Sequence, residues 1–238
     1  MSENIEQPTP DLSDTQPRKA LPKKRGLALL IGALVILLAI ALGSAGGYAQ
    51  AMGTRMNVQQ TKLPGVLIID PVVHRDPRGF FLETYQQRRY EAAGARGPFV
   101  QDNCSSSLRG TIRGLHAQRR AAQGKLIRAI TGEIFDVAVD IRRGSPTFKR
   151  WISVALSGET QRQVYVPPGF AHGFCVVSES ALVEYKCTEL YDPADEMTVR
   201  WDDPELAIPW PAPKPLISPK DRAASVLREL ADQLPEYR

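Results

Sequence analysis

From Met56 onward, the apolar residues fall in short runs that are separated by turn residues. In 135–141 every second residue is apolar, which is the period-two pattern of a strand with a buried face. Segments rich in Pro, Gly and Asp lie between the runs and predict turns. Eight strands at this spacing predict an all-β sandwich, barrel or jelly roll. The predicted strands are 66–69, 79–82, 126–130, 134–141, 151–156, 163–166, 172–177 and 181–187.

Two segments of this domain have a helical pattern instead. A short helix is predicted over 85–95 and a second over 219–234, for which Ser218 can serve as the N-cap. The second helix is expected to pack back on the sheet.

The first 55 residues have a different character. Residues 1–25 are polar, contain Pro and end in the basic cluster Lys23-Lys24-Arg25, so we predict a disordered basic tail. No charged residue lies between Gly26 and Thr54, and the apolar and small residues of 27–49 are enough to cross about 30 Å of hydrocarbon. We therefore predict a hydrophobic, candidate transmembrane helix over 26–49, a linker over 50–60 and the β domain over 61–238.

Three interpretations of the hydrophobic segment remain open. It is a single-pass anchor, a cleaved signal peptide ending near Ala49-Gln50-Ala51, or the result of a start site upstream of a true start at Met56. As an anchor, its basic flank would place the following domain outside the cytoplasm by the positive-inside rule.

Charge excludes one class of partner. The 238 residues contain 30 Lys and Arg and 26 Asp and Glu, for a net charge of +4. Six of the basic and four of the acidic residues precede position 56, which leaves 24 and 22 for the β domain. A nearly neutral domain offers no electrostatic surface for nucleic acid, so no nucleic-acid partner is expected.

The cysteines and histidines give no metal-site spacing. Cys104, Cys175 and Cys187 are far apart, so neither a disulfide framework nor a zinc site is expected, and all three are predicted to be small buried hydrophobes. Metal-binding jelly rolls commonly carry His-x-His, whereas this chain has His116-Ala117-Gln118, and an amide is a poor ligand for a transition metal. We therefore predict a metal-free domain, in which a lone histidine is more often structural than catalytic.

An ordered set of motifs changes that expectation. From Met56 to Leu230 the chain resembles the dTDP-4-dehydrorhamnose 3,5-epimerase family, whose motifs match 76–83, 99–103, 113–116, 123–125, 132–140, 144–148, 168–174, 184–188 and 220–221. The resemblance implies a jelly-roll barrel (a double-stranded β-helix, cupin-like) with short flanking helices. It also implies a cofactor-free enzyme, a homodimer and a dTDP-linked 4-keto-6-deoxyhexose as substrate. Nucleotide sugars are made and used in the cytoplasm, whereas the positive-inside rule would place the domain outside it. Because of the expected substrate, we predict that the catalytic domain is cytoplasmic.

The family's catalytic groups carry over to four residues. Epimerisation next to a ketone needs a base on one face of the sugar, an acid on the other and a cation near the enolate oxygen. The resemblance implies that His116 is the base and that Asp221 orients its ring. It implies that Tyr185 is the acid and that Lys125 is the cation.

The resemblance also implies a set of substrate-binding residues. The positions expected to contact the nucleotide or pyrophosphate are Arg78, Glu83, Gln101, Asn103 and Arg113. His172, Glu196 and Lys220 match further substrate contacts, and Tyr191 matches an aromatic residue that stacks on thymine. Taken singly, each has a structural alternative; for example, Arg78 could cap a turn.

Two other functions are consistent with the sequence as alternatives to epimerisation at both C3 and C5. Relatives with the same His and Tyr epimerise only C3 or only C5, or act on another nucleotide-linked deoxysugar. The other rival is a membrane-tethered, non-catalytic jelly roll that binds sugar nucleotides. It would have no need for a base, an orienting carboxylate, an acid and an oxyanion cation together.

Overall fold

β-Strands dominate residues 56–237, the part of the chain that the computed structural model describes. The strands are β1 (Asn57–Gln60), β2 (Leu67–Asp70), β3 (His74–Asp76), β4 (Gly79–Phe81), β5 (Gln101–Leu108), β6 (Thr111–Gln118), β7 (Lys125–Thr131), β8 (Glu133–Asp140), β9 (Trp151–Ser157), β10 (Gln163–Val166), β11 (Phe170–Val176), β12 (Ser180–Cys187), β13 (Glu196–Thr198) and β14 (Leu216–Ile217). The helices are α1 (Gln87–Ala92), α2 (Pro219–Arg222) and a 3-10 helix at Leu227–Gln233. The predicted all-β class with few short helices is confirmed.

The strands form two main sheets and a separate hairpin. Sheet 1 has the order β1-β2-β10-β7-β12-β5, and sheet 2 has the order β13-β6-β11-β8-β9. These neighbours are antiparallel, whereas β14 runs parallel to β6 at the edge of sheet 2. The hairpin β3-β4 pairs with neither sheet. Residues of both sheets, including Ile127, Val183, Leu156 and Phe174, pack in one buried cluster, so the sheets face each other.

Strand β8 is buried on both faces. Ile134 and Ala138 point into the space between the sheets, whereas Val137 and Val139 point to the outer face of sheet 2. The predicted alternation is correct, but the apolar set that begins at Phe135 lies under the C-terminal segment rather than in the interior. This arrangement leaves Asp136, on the inward face, free to meet polar partners.

The prediction of one continuous C-terminal helix over 219–234 is wrong, because this segment forms two short helices, α2 and the 3-10 helix. The chain leaves the helical path after α2 because Ser225 pairs with Val199 and its carbonyl accepts a hydrogen bond from the Arg200 N–H at 2.9 Å. The predicted packing is confirmed, since Leu227 and Leu230 are buried on the outer face of sheet 2.

Other boundaries also differ from prediction. Helix α1 is shorter than 85–95, starting after Gln86, whose side chain accepts a hydrogen bond from the Arg89 N–H. Residues 57–60, which the sequence assigns to the linker, form β1 because they pair with β2. Cys104 is exposed rather than buried, since it alternates outward on edge strand β5.

The predicted tail (1–25) and hydrophobic helix (26–49) lie outside the described residues. Within residues 56–237, no helix is long and apolar enough to span a bilayer.

Candidate active site

A cavity of about 320 Å³ opens between the two sheets, beside the apolar interior. Sheet 1 contributes side chains from β5, β7 and β12, and sheet 2 contributes them from β6, β11 and β13. Ten of the thirteen predicted site residues line this pocket: Gln101, Asn103, Arg113, His116, Lys125, His172, Tyr185, Tyr191, Glu196 and Lys220. Residues up to 119 positions apart in sequence therefore meet at one site.

His116 and Asp221 form a hydrogen-bonded pair at the wall of the pocket. The His116 Nε2 lies 2.7 Å from Asp221 Oδ1, and the carboxylate is 3% exposed, against 29% for the imidazole. Burial alone would raise the pKa of Asp221, but the hydrogen bond and charge of His116 and the Gly114 N–H outweigh it and lower the pKa. Because an ionised carboxylate can only accept, Nε2 carries a proton toward Asp221, and in the neutral ring Nδ1 therefore keeps its lone pair. This is the tautomer that a general base needs.

The local sequence explains how Asp221 reaches β6 from 105 positions away. The outer edge of β6 is shared, with β14 pairing at Thr111–Ile112 and β13 at His116–Gln118. Ser218 then caps α2 by accepting from the Asp221 N–H, and Pro219 begins the helix. Asp221 is thereby placed between the two pairing strands, where its Oδ2 accepts from the Gly114 N–H at 3.5 Å.

Two glycines bring β6 and β11 together beside this pair. Gly114 has φ of +124°, and a Cβ there would lie 2.6 Å from the Gly173 Cα. A Cβ on Gly173 would in turn lie 2.7 Å from the Arg113 carbonyl oxygen. The close approach of the backbones requires both glycines, and it places His116 and His172 directly opposite each other in register.

Tyr185 and Lys125 line the same pocket from sheet 1, across from His116. Burial is the main cause that raises the pKa of Tyr185, so its phenol stays protonated over a wide pH range. Burial also lowers the pKa of Lys125, against the opposing effects of Cys187 and Glu196. The pocket therefore combines an imidazole on one sheet with a phenol and a lysine side chain on the other.

A second histidine–carboxylate pair lies next to the first. His172 Nε2 is 2.8 Å from Asp136 Oδ2, and both side chains are buried at 8% and 1% exposure. This pair is less accessible than His116–Asp221, which makes it better suited to holding shape and polarity than to cycling protons with a substrate.

Glu196 links two other residues of the pocket. Its Oε1 accepts from Lys220 Nζ at 2.7 Å, and its Oε2 accepts from the Tyr191 hydroxyl at 3.0 Å. Burial acts to raise the pKa of Glu196, but these hydrogen bonds and nearby His116 lower it on balance. The carboxylate is thus ionised and fixes Tyr191 and Lys220 at one side of the pocket.

Polar side chains on β5 and β6 form the remaining wall. Gln101 Oε1 accepts from the Tyr191 N–H at 2.8 Å, and Gln101 Nε2 donates to Asn103 Oδ1 at 2.9 Å. Arg113 Nε donates to the Ser107 hydroxyl at 2.9 Å. The rest of the Arg113 guanidinium is available to an anion.

Three predicted residues do not line this pocket. Asp221 lies behind His116 and contacts the adjoining groove. Arg78, on the turn of the β3-β4 hairpin, pairs with Asp76, and Glu83 pairs with Arg89 at 2.8 Å. In a single copy of residues 56–237, Arg78 and Glu83 therefore do not line the cavity.

The structure adds pocket residues that sequence reasoning missed: Ser105, Ala117, Gln118, Gln123, Phe174 and Cys187. The Ser105 hydroxyl oxygen is buried and has no hydrogen-bond partner in the described domain. Alternation along β5 could have found it, since Gln101, Asn103 and Ser105 share the inward face. Among residues 56–237, no group of three or more His, Cys, Asp or Glu side chains is arranged to hold a metal ion.

The His116 imidazole, paired with a carboxylate, thus faces the Tyr185 phenol and the buried Lys125 side chain across the pocket. Groups of this kind on two opposite sides are what proton transfer at both faces of a carbon acid requires. The class is an epimerase that works next to a carbonyl group.

Comparison with known proteins identifies the family. The profile of the dTDP-4-dehydrorhamnose 3,5-epimerase family matches residues 60–229. A dTDP-4-dehydrorhamnose 3,5-epimerase of Pseudomonas aeruginosa is 51% identical over 182 residues, covering 76% of this chain and 100% of the relative. A dTDP-4-dehydrorhamnose 3-epimerase of Streptomyces niveus is 41% identical, with 76% of this chain and 90% of the relative covered.

A solved crystal structure supports the same family assignment. The crystal structure of dTDP-6-deoxy-D-glucose-3,5-epimerase from Legionella pneumophila, in complex with dTDP-4-keto-L-rhamnose, superposes with a TM-score of 0.75 at 49% identity. The match covers 77% of this chain and 99% of that one. The chain belongs to the dTDP-4-dehydrorhamnose 3,5-epimerase family, and it is an isomerase.

Proposed function

We propose that this chain epimerises C3 and C5 of dTDP-4-dehydro-6-deoxy-D-glucose to give dTDP-4-dehydro-L-rhamnose. The observation that carries the proposal is the placement of His116 and Tyr185 on opposite sheets, with the pocket between them. Epimerisation requires removal of a proton from one face of the ring and its return to the other face. A single group on one side could exchange the proton but could not invert the carbon.

The chemistry uses only groups of this chain. His116 Nδ1 removes the hydrogen of the carbon next to the 4-keto group, and the C–H electron pair moves to the C4 oxygen as an enolate. The Lys125 ammonium stabilises that oxyanion, an interaction that strengthens as charge develops. Tyr185 then donates its proton to the opposite face, and water reprotonates the phenolate. The proton on His116 returns to solvent before the second carbon reacts.

The states of the three groups support these roles. Asp221 keeps the His116 ring in the basic tautomer and stabilises the imidazolium that forms. The raised pKa of Tyr185 keeps it an acid, and the lowered pKa of Lys125 reflects its burial away from water, where an ammonium group attracts an oxyanion more strongly than it does in solvent.

The binding roles of the remaining residues are part of the same proposal. Arg113 suits the pyrophosphate because a guanidinium grips phosphate oxygens through paired hydrogen bonds. Tyr191 is 48% exposed at the pocket's edge, where its ring can stack on the thymine base. Asn103, His172, Glu196 and Lys220 supply hydrogen bonds to the sugar and nucleotide.

We also propose a homodimer in which the hairpin of one copy completes the pocket of the other. Phe80 and Phe81 on this hairpin are 50% and 73% exposed, which is unusual for adjacent aromatic residues. Arg78 and Glu83 sit on or beside the hairpin and outside their own chain's pocket. A second copy covering the phenylalanines would place Arg78 near the partner's pyrophosphate.

Mixed dimers test this arrangement. His116→Ala and Arg78→Ala chains, each inactive alone, are co-expressed and purified together through different tags. Recovery of activity in the mixed dimer is expected, because one pocket then receives an intact His116 and an intact Arg78. Absence of recovery in a dimer of confirmed composition would place Arg78 in its own chain's site.

The full chain, incubated with the substrate in deuterated water and followed by NMR, tests the reaction. Deuterium at both C3 and C5, with an L-configured product trapped by a reductase, is expected. Label at one carbon would indicate a single epimerase, as the name of the Streptomyces niveus relative suggests. A folded protein that binds dTDP without exchange would be the non-catalytic binding module.

The finer fold class and the location complete the proposal. The facing antiparallel sheets, with β11 at the centre of one and β10 and β7 at the centre of the other, support a jelly-roll barrel. We place the domain in the cytoplasm, where nucleotide sugars are made, with 26–49 as a candidate anchor. This location is tested by fusing to the C-terminus a reporter enzyme that works only outside the cytoplasm. Activity of that reporter would refute a cytoplasmic domain.

A further inference from the structure

Gln118 lies two positions after His116 on β6 and is 3% exposed. Its side-chain Nε2 donates to the carbonyl oxygen of Ala121 at 2.7 Å and to that of Leu190 at 3.2 Å. Its Oε1 accepts from the Asp192 N–H at 2.8 Å. The amide therefore uses two donors and one acceptor on the backbones of two different loops.

Leu190 and Asp192 immediately flank Tyr191. Residues 188–195 connect β12 to β13, and Tyr191 is the pocket residue that this loop carries. Gln101 holds the Tyr191 N–H, and Gln123 Nε2 donates to the Glu189 carbonyl at 2.8 Å. Gln118 is the member of this set that ties the loop to both the β6 strand and the β6–β7 connection.

We propose that Gln118 is a positioning residue that holds the 188–195 loop, and with it Tyr191, in place before substrate binds. The inference rests on the proposed function, in which the loop borders the nucleotide end of the substrate. The hydrogen bonds fix where Tyr191 lies, while the proton-transfer groups His116, Lys125 and Tyr185 are held by other contacts. Loss of the Gln118 amide therefore weakens nucleotide binding and leaves the proton transfers intact.

The chemistry of the side chain explains why a glutamine occupies this position. A neutral histidine, the residue at this position in metal-binding jelly rolls, offers one donor and one acceptor. A carboxylate offers no donor at all. A primary amide provides the two donors and the acceptor that the Ala121, Leu190 and Asp192 backbones require.

Two substitutions in the full chain test the inference. Gln118→Met keeps the length of the side chain and removes all three hydrogen bonds, and Gln118→Glu turns an acceptor toward two carbonyl oxygens. We expect each to raise KM, and the Kd for dTDP, about tenfold or more, with kcat unchanged; tenfold corresponds to 1.4 kcal/mol. Combined with Tyr191→Ala, either should add little to the effect of Tyr191→Ala alone, since both act through one aromatic ring.

Gln163→Met is the matched control. Gln163 is also buried, accepts from the Tyr90 hydroxyl and donates to the Thr84 carbonyl, both at 2.9 Å, and does not line the pocket. This variant should lower the melting temperature without changing KM.

Three results would overturn the inference: an unchanged Kd for dTDP in a folded Gln118 variant, a loss confined to kcat, or full additivity with Tyr191→Ala. If one Gln118 variant does not fold, the other decides. Wild-type turnover is measured first, so failure of the proposed reaction is seen separately, and the dTDP titrations still test Gln118 in that case.

Discussion

The pairing of Asp221 with His116 makes a quantitative prediction about the base. In Asp221→Asn the side-chain volume and an acceptor for the Gly114 N–H are kept, but the charge is lost. The new amide can also donate to His116 Nε2, which moves the ring proton to Nδ1. The lone pair would then point at Asn rather than at the substrate. Asp221→Ala removes the charge without imposing that tautomer.

The structure sets the size of each effect. The 2.7 Å contact to a carboxylate that is 3% exposed is a charge-assisted hydrogen bond, for which about 1.5–3 kcal/mol is typical, or about 10- to 150-fold in rate. We expect Asp221→Ala to lower the rate of proton abstraction by about 10- to 150-fold. Asp221→Asn should lose more, up to about 10⁴-fold, because the wrong tautomer is stabilised as well.

The assay is deuterium incorporation at C3 and C5 at saturating substrate, with circular dichroism to confirm folding. Asp136→Asn is the matched control, since it alters the second histidine–carboxylate pair at nearly the same distance of 2.8 Å. Its effect on the exchange rate should be smaller than that of Asp221→Asn. Wild-type exchange in Asp221→Asn, or a larger loss in Asp136→Asn, would refute the assignment of His116 as the base.

Three further predictions concern the acid, the cation and the backbone. Tyr185→Phe should spare deuterium exchange more than inversion, since the base is intact; equal loss of both by NMR would contradict the two-face scheme. Because burial lowers the pKa of Lys125 below the usual 10.5 and raises that of Tyr185, the fall of kcat/KM at high pH should reflect loss of the Lys125 proton. Lys125→Arg should move this fall to higher pH, and an unmoved profile would assign it elsewhere. Gly114→Ala should destabilise the fold by about 3 kcal/mol, lowering Tm by about 6–12 °C, through positive φ and a clash with Gly173. Gly144→Ala, which has positive φ but open space, should cost about 1–2 kcal/mol, and an equal loss for both would show that the close approach is unimportant.

The apolar strands were predictable from sequence because their runs of apolar residues correspond to the residues that are buried between the sheets. Strands β7 to β12 were all predicted near their observed positions, since each contributes to the apolar interior. Strands β5 and β6 were missed because their inward residues line the pocket, and Gln101, Asn103 and Ser105 give a polar pattern where a strand is expected to be apolar. The strands that carry much of the site were therefore the hardest to find.

The site residues came from the family resemblance, and the structure brings most of them together. Spacing alone could not pair His116 with Asp221, since the contact depends on how β13 and β14 divide the edge of β6. The sequence indicates only that Gln118 is a poor metal ligand, because its three hydrogen bonds reach loops that no local pattern specifies.

The division of the β6 edge has a consequence for biosynthesis. All the strands of both main sheets except β14 precede residue 200, whereas Asp221 follows every strand in the chain order. On the ribosome, the pocket walls are thus made before the carboxylate that orients His116. A chain that ends at Ile217 contains every strand but lacks that carboxylate, so we expect its His116 to abstract protons more slowly, as in Asp221→Ala. We therefore expect full activity only after synthesis has passed Asp221, when all the strands that line the pocket have already been made.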